Sequence, residues 1–185
     1  MRVIAGVARS RKLNSPEGLE TRPTADRIKE TLFNILSPDV PGAEFLDLFA
    51  GSGQIGIEAM SRGAKSAVFV DEGKNPYDCI RKNIEVIKEF KDSCEVFRMS
   101  AVPAIAKLFA SGKRFDIIFM DPPYDKGIEK EVLLQLERYR ILKEDGIIVV
   151  EASAGTEMDY VPETCFNVYR EKIYGSNKHI FIAYK

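Results

Sequence analysis

The chain has 185 residues, 45% of them hydrophobic and 30% charged, with a formal net charge of −1, so one domain with a sizeable core is expected over residues 1–185. No apolar run approaches the ~20 residues that cross a bilayer, and the N-terminus lacks the apolar h-region of a signal peptide, so a cytoplasmic protein without membrane contact is expected. The near-neutral charge excludes a protein that coats nucleic acid indiscriminately; any such contact must come from a local basic patch.

Residues 1–16 carry Arg2, Arg9, Arg11 and Lys12 and no acidic residue. Val3-Ile4-Ala5 and Val7-Ala8 read as short strand material and 13–18 as a turn. Residues 1–20 are therefore expected to form an exposed basic β-hairpin or extended arm. On composition alone, that arm is either a nucleic-acid contact or a solvated terminus. Residues 21–185 form the expected core. Thr24 reads as the N-cap of a helix in which Ile28, Leu32, Ile35 and Leu36 recur at helical spacing, ended by Ser37-Pro38. Arg22 and Arg27 at its start read as bridges to acidic neighbours, with phosphate contact as the alternative.

From Phe45 onward, strands and helices alternate. Strands fall near 44–49, 66–71, 94–99, 115–120 and 146–151, and helices near 54–62, 76–90, 102–110 and 127–138. Phe166–Tyr174 and His179–Tyr184 flank Gly175-Ser176-Asn177-Lys178, which reads as a terminal hairpin. The expected fold is α/β and Rossmann-like: a mostly parallel seven-stranded sheet that finishes on an antiparallel pair. Cys79, Cys94 and Cys165 are odd in number and widely spaced, so they read as reduced thiols, and a single histidine, His179, makes a metal site improbable on spacing.

Two stretches carry chemistry. The first strand runs through Asp47-Leu48-Phe49-Ala50 into Gly51-Ser52-Gly53 and opens a helix at Gln54. Gly51 and Gly53 can take positive φ and let a ligand approach the backbone. No Gly-Lys-Ser/Thr follows, which removes the P-loop. Asp47 places a carboxylate where a pyrophosphate would be repelled and a cationic or zwitterionic ligand accepted. Asp71 lies 20 positions beyond Gly51, at the tip of the second strand, where such sheets bind ribose hydroxyls.

The second stretch is Asp121-Pro122-Pro123-Tyr124, directly after the fourth strand. Its prolines fix a rigid turn, and ligands in open α/β sheets bind at the carboxyl ends of strands. The Asp121 carboxylate and the Pro122 carbonyl can accept the two hydrogens of an exocyclic amine. That interaction favours a tetrahedral nitrogen whose lone pair faces an electrophilic methyl, and Tyr124 can stack on the flipped base. Neither metal nor covalent intermediate is needed for that reaction. All of this requires strands one and four to be neighbours.

Asp47-Leu48-Phe49-Ala50-Gly51-Ser52-Gly53 together with Asp121-Pro122-Pro123-Tyr124 resembles class I S-adenosylmethionine-dependent amino-methyltransferases. With Arg2-Val3-Ile4-Ala5-Gly6, Arg11-Lys12-Leu13, Thr21-Arg22-Pro23-Thr24 and Leu32-Phe33-Asn34, the chain resembles the RsmD family, which methylates guanine N2 in 16S ribosomal RNA. The resemblance implies that S-adenosylmethionine is held by Asp47, Phe49, Gly51, Ser52 and Gly53, by Asp71 where the family commonly has Glu, and by Ser100 and Ala101 where an Asp-Ala pair is usual. It implies that Asp121, Pro122, Pro123 and Tyr124 are catalytic, with Asp121 also touching the cofactor. It implies that Arg2, Arg9, Arg11, Lys12, Arg22 and Thr24 meet the RNA, within an assembling small ribosomal subunit, and that the protein is a monomer. The alternative left open is an adenine-N6 methyltransferase, because Asp-Pro-Pro-Tyr is common to both. A silent RNA-binding relative or a dehydrogenase accounts less well for Asp47 and Asp121.

Overall fold

The computed structural model describes residues 1–16, 23–124 and 126–185, with side chains in the first helix from Asp26 onward. That helix, α1, spans Pro23–Ile35. Proline suits a first helical position because its missing N–H would have had no partner there. The expected cap, Thr24, therefore lies inside the first turn.

The chain then alternates through β1 (Glu44–Leu48), α2 (Gln54–Ser61), β2 (Ser66–Asp71), α3 (Lys74–Val86), β3 (Cys94–Arg98), α4 (Ala101–Ala110), β4 (Phe115–Met120), α5 (Ile128–Tyr139) and β5 (Leu142–Ser153). It ends in β6 (Phe166–Tyr174) and β7 (Asn177–Tyr184). The strands lie in one sheet in the order β3-β2-β1-β4-β5-β7-β6. Neighbours from β3 to β5 are parallel, and β7 is antiparallel to both β5 and β6. The expected Rossmann-like sheet with its closing hairpin is the one observed.

The inner strands are apolar nearly throughout because both faces are covered. Their side chains alternate. Phe45, Phe69, Ile117 and Phe119 pack on one face with Leu32 and Phe33 of α1, Ile57 of α2 and Ile80 of α3. Leu46, Leu48, Val68, Val70, Ile118 and Met120 pack on the other with Ile105 of α4 and Leu133 of α5. The third helix ends sooner than its apolar row predicts, in a 3-10 stretch over Lys88–Ser93.

Register sets the rim. Leu48 pairs with Val70 on one side and Met120 on the other, and Met120 pairs with Val150. The next residue along each strand is Asp71, Phe49, Asp121 or Glu151, so these four emerge at one edge of the sheet. Connections depart in opposite directions from β1 and β4, which makes this edge the switch point where open sheets bind ligands.

The N-terminal segment departs from expectation. It is not an exposed arm. Its two limbs do pair as the expected hairpin, through an antiparallel Arg2–Lys12 bridge and the N–H groups of Val3 and Leu13 donating to the carbonyls of Arg11 and Met1 at 3.0 Å, but Val3, Ala8 and Leu13 are buried. Glu58 of α2, fully buried, accepts the backbone N–H groups of Ile4 and Ala5 at 2.8 and 3.0 Å. The same carboxylate meets Arg62 Nε at 2.8 Å and lies 3.7 Å from Lys29 Nζ, which donates to the carbonyl of Arg2 at 2.8 Å. Burial, opposed by Glu58, lowers the Lys29 pKa. One carboxylate thus ties the segment to α1 and α2, and its donors satisfy a charge that is costly to bury alone.

Gly6 is where this docking is tightest. Its φ is +80°, and an added Cβ would stand 1.7 Å from the Ser61 carbonyl oxygen. Gly6→Ala is expected to destabilise the protein by about 2–4 kcal/mol through strain and displacement of the segment. A lower melting temperature with faster tryptic cleavage at Arg9 and Arg11 would register this. Unchanged melting would mean that the docking contributes little.

Candidate active site

The turn between β1 and α2 is bent by three left-handed residues: Phe49, Gly51 and Gly53 have φ of 65°, 57° and 76°. Phe49 is the costly member, since a residue with a Cβ held there stores about 1–3 kcal/mol. Asp71 fixes the turn. Its Oδ2 accepts the Gly51 N–H and its Oδ1 accepts the Gly73 N–H, each at 2.9 Å. Each oxygen keeps a further lone pair for a hydroxyl.

Asp47 is 1% exposed, and its Oδ2 accepts the Gly56 N–H at 3.0 Å. Burial pushes its pKa up to about 7; the Gly56 bond opposes this and the charge of Asp71 adds to it. The carboxylate therefore caps the N-terminal turn of α2, a role the sequence did not suggest, and retains unsatisfied acceptor capacity for a cation.

Two cavities open at the rim. The larger, about 680 Å³, is lined by Phe49, Asp71, Glu72, Ser100, Ala101 and Val102, with all of Asp121–Tyr124. The second, about 450 Å³, is lined by Lys29, Gln54, Ile55, Glu151, Asn177 and His179, and again by Asp121 and Tyr124. Asp121 and Tyr124 form the shared wall. A groove of about 420 Å³ adjoins the second cavity through Ile28 and Tyr174 and is lined by Arg27, Thr31 and Lys172.

Asp121 is exposed to the cavities, yet desolvation by the wall around it first, and the nearby Glu151 charge second, push its carboxyl above the ordinary carboxylate range; a hydrogen bond with Tyr124 opposes them. The Tyr124 hydroxyl donates to Glu151 Oε1 at 3.2 Å and receives the Asn177 amide at 2.9 Å. Glu151 pairs with His179 across β5 and β7, and its Oε2 lies 3.2 Å from His179 Nε2. Burial works to raise the Glu151 pKa, but hydrogen bonds from His179, then Asn177 and Tyr124, outweigh it and hold that pKa low.

The structure therefore brings Phe49, Asp71, Ser100, Ala101, Asp121, Pro122, Pro123 and Tyr124 to one cavity. Asp47, Gly51, Ser52 and Gly53 form the adjoining turn and are not among its lining residues. Ser52 is buried, and its hydroxyl donates to Met1 Sδ at 3.3 Å. Arg2 pairs with Asp26 at 3.2 Å, whereas Arg9, Arg11 and Lys12 are exposed and form no ion pair among the described residues. Arg27, expected to bridge, likewise makes no ion pair among the described residues and borders the groove. Arg22 and the side chain of Thr24 lie outside the described residues.

Lys29, Gln54, Glu151, Asn177 and His179 were not anticipated. Glu151 alone left a trace in the sequence, as an acid ending a buried strand. The others reach the site through α1, α2 and the β5–β7 pairing.

The family described as Conserved hypothetical protein 95 matches residues 1–183. YlbH of Bacillus subtilis is 39% identical over 180 residues, covering 95% of this chain and 94% of its own length. Ribosomal RNA small subunit methyltransferase D of Escherichia coli is 35% identical over 175 residues, covering 95% of this chain and 85% of its own. The solved structure of yhhF from Escherichia coli superposes with a TM-score of 0.85 at 32% identity, covering 100% of this chain and 98% of that one.

Proposed function

The chain belongs to the Conserved hypothetical protein 95, or RsmD, family, and from that premise we propose that it methylates the exocyclic N2 amine of a guanine in 16S ribosomal RNA. The observation that carries this reading is the wall common to two cavities: Asp121 and Tyr124 border both. The larger cavity has the size of a small-molecule site and a donor set that fits S-adenosylmethionine. Asp71 suits ribose hydroxyls, Ser100 the adenine edge, Phe49 and Val102 its faces, and the adjoining glycine turn, with the Asp47 carboxylate buried behind it, a cationic amino-acid end. The bound cofactor supplies an electrophilic sulfonium methyl.

The second cavity receives the base. Tyr124, 38% exposed, offers a ring face for stacking, and its hydroxyl is anchored by Glu151 and Asn177 so that the face does not turn away. Asp121 accepts one amine hydrogen, the Pro122 carbonyl accepts the other, and the nitrogen lone pair is directed toward the larger cavity. After transfer, Asp121 takes the released proton. Catalysis on this account is orientation and charge placement.

The RNA strand leaves the second cavity along the adjoining groove, with Arg9, Arg11 and Lys12 as further cationic contacts. Substituting both Arg27 and Lys172 by alanine is expected to weaken rRNA binding for all sequences alike and to lower the log K against log[salt] slope by about 1–2. Filter binding across a potassium chloride series would measure it. A slope equal to the wild type would remove the groove from the interface. A net charge of −1 is small for holding free RNA, which favours a ribosomal particle in the cytoplasm as substrate. Mass spectrometry of rRNA nucleosides from cells with and without the gene tests the function itself. Loss of one N2-methylguanosine is expected; unchanged rRNA, or loss of N6-methyladenosine, would contradict it.

A further inference from the structure

The second cavity contains more acceptor capacity than the reacting amine requires. Asp121 and Pro122 account for the two hydrogens on that nitrogen. Glu151 stands beside Asp121, one residue past the Met120–Val150 register pair, and lines the same cavity. It is held by donors from three directions: His179 at 3.2 Å on Oε2, and the Tyr124 hydroxyl at 3.2 Å and Asn177 amide at 3.5 Å on Oε1. Its side chain is 19% exposed, and Oε2, which meets one donor where Oε1 meets two, retains lone-pair capacity.

The two purines differ beside the reactive amine. Guanine places an N1–H donor next to N2; adenine places a bare N1 acceptor next to N6. Because Asp-Pro-Pro-Tyr serves either amine, the choice of base must be made by whatever faces the neighbouring ring nitrogen. We propose that Glu151 accepts the N1–H of the target guanine and is the residue that makes the site reject adenine, an assignment that rests on the methyl-transfer reading above.

The physical basis is the mismatch adenine creates. An adenine seated with its amine on Asp121 points a lone pair at the Glu151 carboxylate. Two acceptors then meet in a partly buried place, and the carboxylate's hydration has been lost without replacement. Sites built around such a polar pairing reject the mismatched ligand far more strongly than apolar pockets do. The hydrogen bonds from His179, Asn177 and Tyr124 keep Glu151 an acceptor, since a protonated carboxyl would donate to adenine N1 and erase the distinction. Gln54, on the same lining, carries a side-chain donor suited to the guanine O6 that adenine lacks.

The test uses 2-aminopurine, which retains the reacting amine but has neither the N1–H nor O6, so the Glu151 contribution is read from the change in preference between wild type and variant. Small-subunit particles are reconstituted on rRNA carrying guanine or 2-aminopurine at the methylated position, and kcat/KM is measured for wild type and Glu151→Gln. Wild type is expected to prefer guanine by about 100-fold or more, and Glu151→Gln, whose amide offers a donor as well as an acceptor, to prefer it by less than about 10-fold. S-adenosylmethionine affinity, unchanged within about twofold, serves as the folding control. An equal loss on both RNAs would reduce Glu151 to a support for Tyr124 and overturn the proposal. Wild type methylating 2-aminopurine as fast as guanine would overturn it too. Wild type that transfers no methyl to guanine N2 would remove the functional reading, and this inference with it.

Discussion

Replacing Asp121 by alanine is expected to lower kcat for methyl transfer by about 10³-fold or more while changing S-adenosylmethionine affinity by less than about threefold. The asymmetry follows from where Asp121 sits. It is on the wall between the cavities, where in the proposed mechanism one carboxylate meets the reacting amine while cofactor binding is spread over Asp47, Asp71, Ser100 and the glycine turn. Deleting the carboxylate leaves those contacts standing and removes the acceptor that prepares the nitrogen. Equal loss of rate and cofactor affinity would instead make Asp121 a structural residue. The same group sets a pH dependence. Its pKa is raised by desolvation in the surrounding wall and by Glu151, and only the ionised form accepts the amine hydrogen. Thus kcat/KM, which reports the free enzyme, should climb with pH through a limb above the ordinary carboxylate range. A profile flat across neutrality would contradict this.

Asp47→Asn is expected to stabilise the ligand-free protein and to weaken cofactor binding by about 30–100-fold at pH 8. Asparagine keeps the shape and can still accept the Gly56 N–H, so the cap on α2 survives and only the charge goes. In the folded chain the carboxyl pKa rises from 3.8 to about 7. A raised carboxyl pKa means that the native state holds the proton more tightly than the unfolded one. The stabilisation this provides is complete below pH 3.8 and is lost as pH rises through about 7. Above that, the free protein carries an unpaired buried charge at a cost on the order of 4 kcal/mol. The asparagine variant should therefore melt higher at pH 8, with the advantage shrinking in acid. Cofactor binding at pH 6 should release a proton in the wild type and none from this position in the variant, which calorimetry in buffers of different ionisation enthalpy detects. Unchanged affinity would leave Asp47 as a helix cap and nothing more.

Much of this site was legible because its chemistry is contiguous. Asp47 to Gly53 is one strand end and one turn; Asp121 to Tyr124 is one strand end and its exit. Continuous apolar runs placed the strands that carry them, and β1 and β4 are neighbours as the reading required. The start of β5 was set four residues too late, at 146 rather than Leu142, because Lys143-Glu144-Asp145 interrupts the apolar run. Glu151, Asn177 and His179 were missed for a different reason. Their meeting is decided by antiparallel register between segments 28 residues apart, which no local pattern encodes. The N-terminal segment misled through its charge. Val3, Ala8 and Leu13 follow neither helical nor strand spacing, and their anchor, Glu58, sits inside a helix whose sequence reads as ordinary.

The central claim is that cofactor and base occupy the two cavities and meet at Asp121. A crystal structure of the protein with S-adenosylhomocysteine and a target-strand RNA oligonucleotide tests it most directly. The account predicts the ribose against Asp71, the amino-acid end at Asp47, and a guanine on the Tyr124 ring with N2 within hydrogen-bond distance of Asp121 and the Pro122 carbonyl. Cofactor seated in the second cavity, or a base whose amine turns away from Asp121, would contradict it.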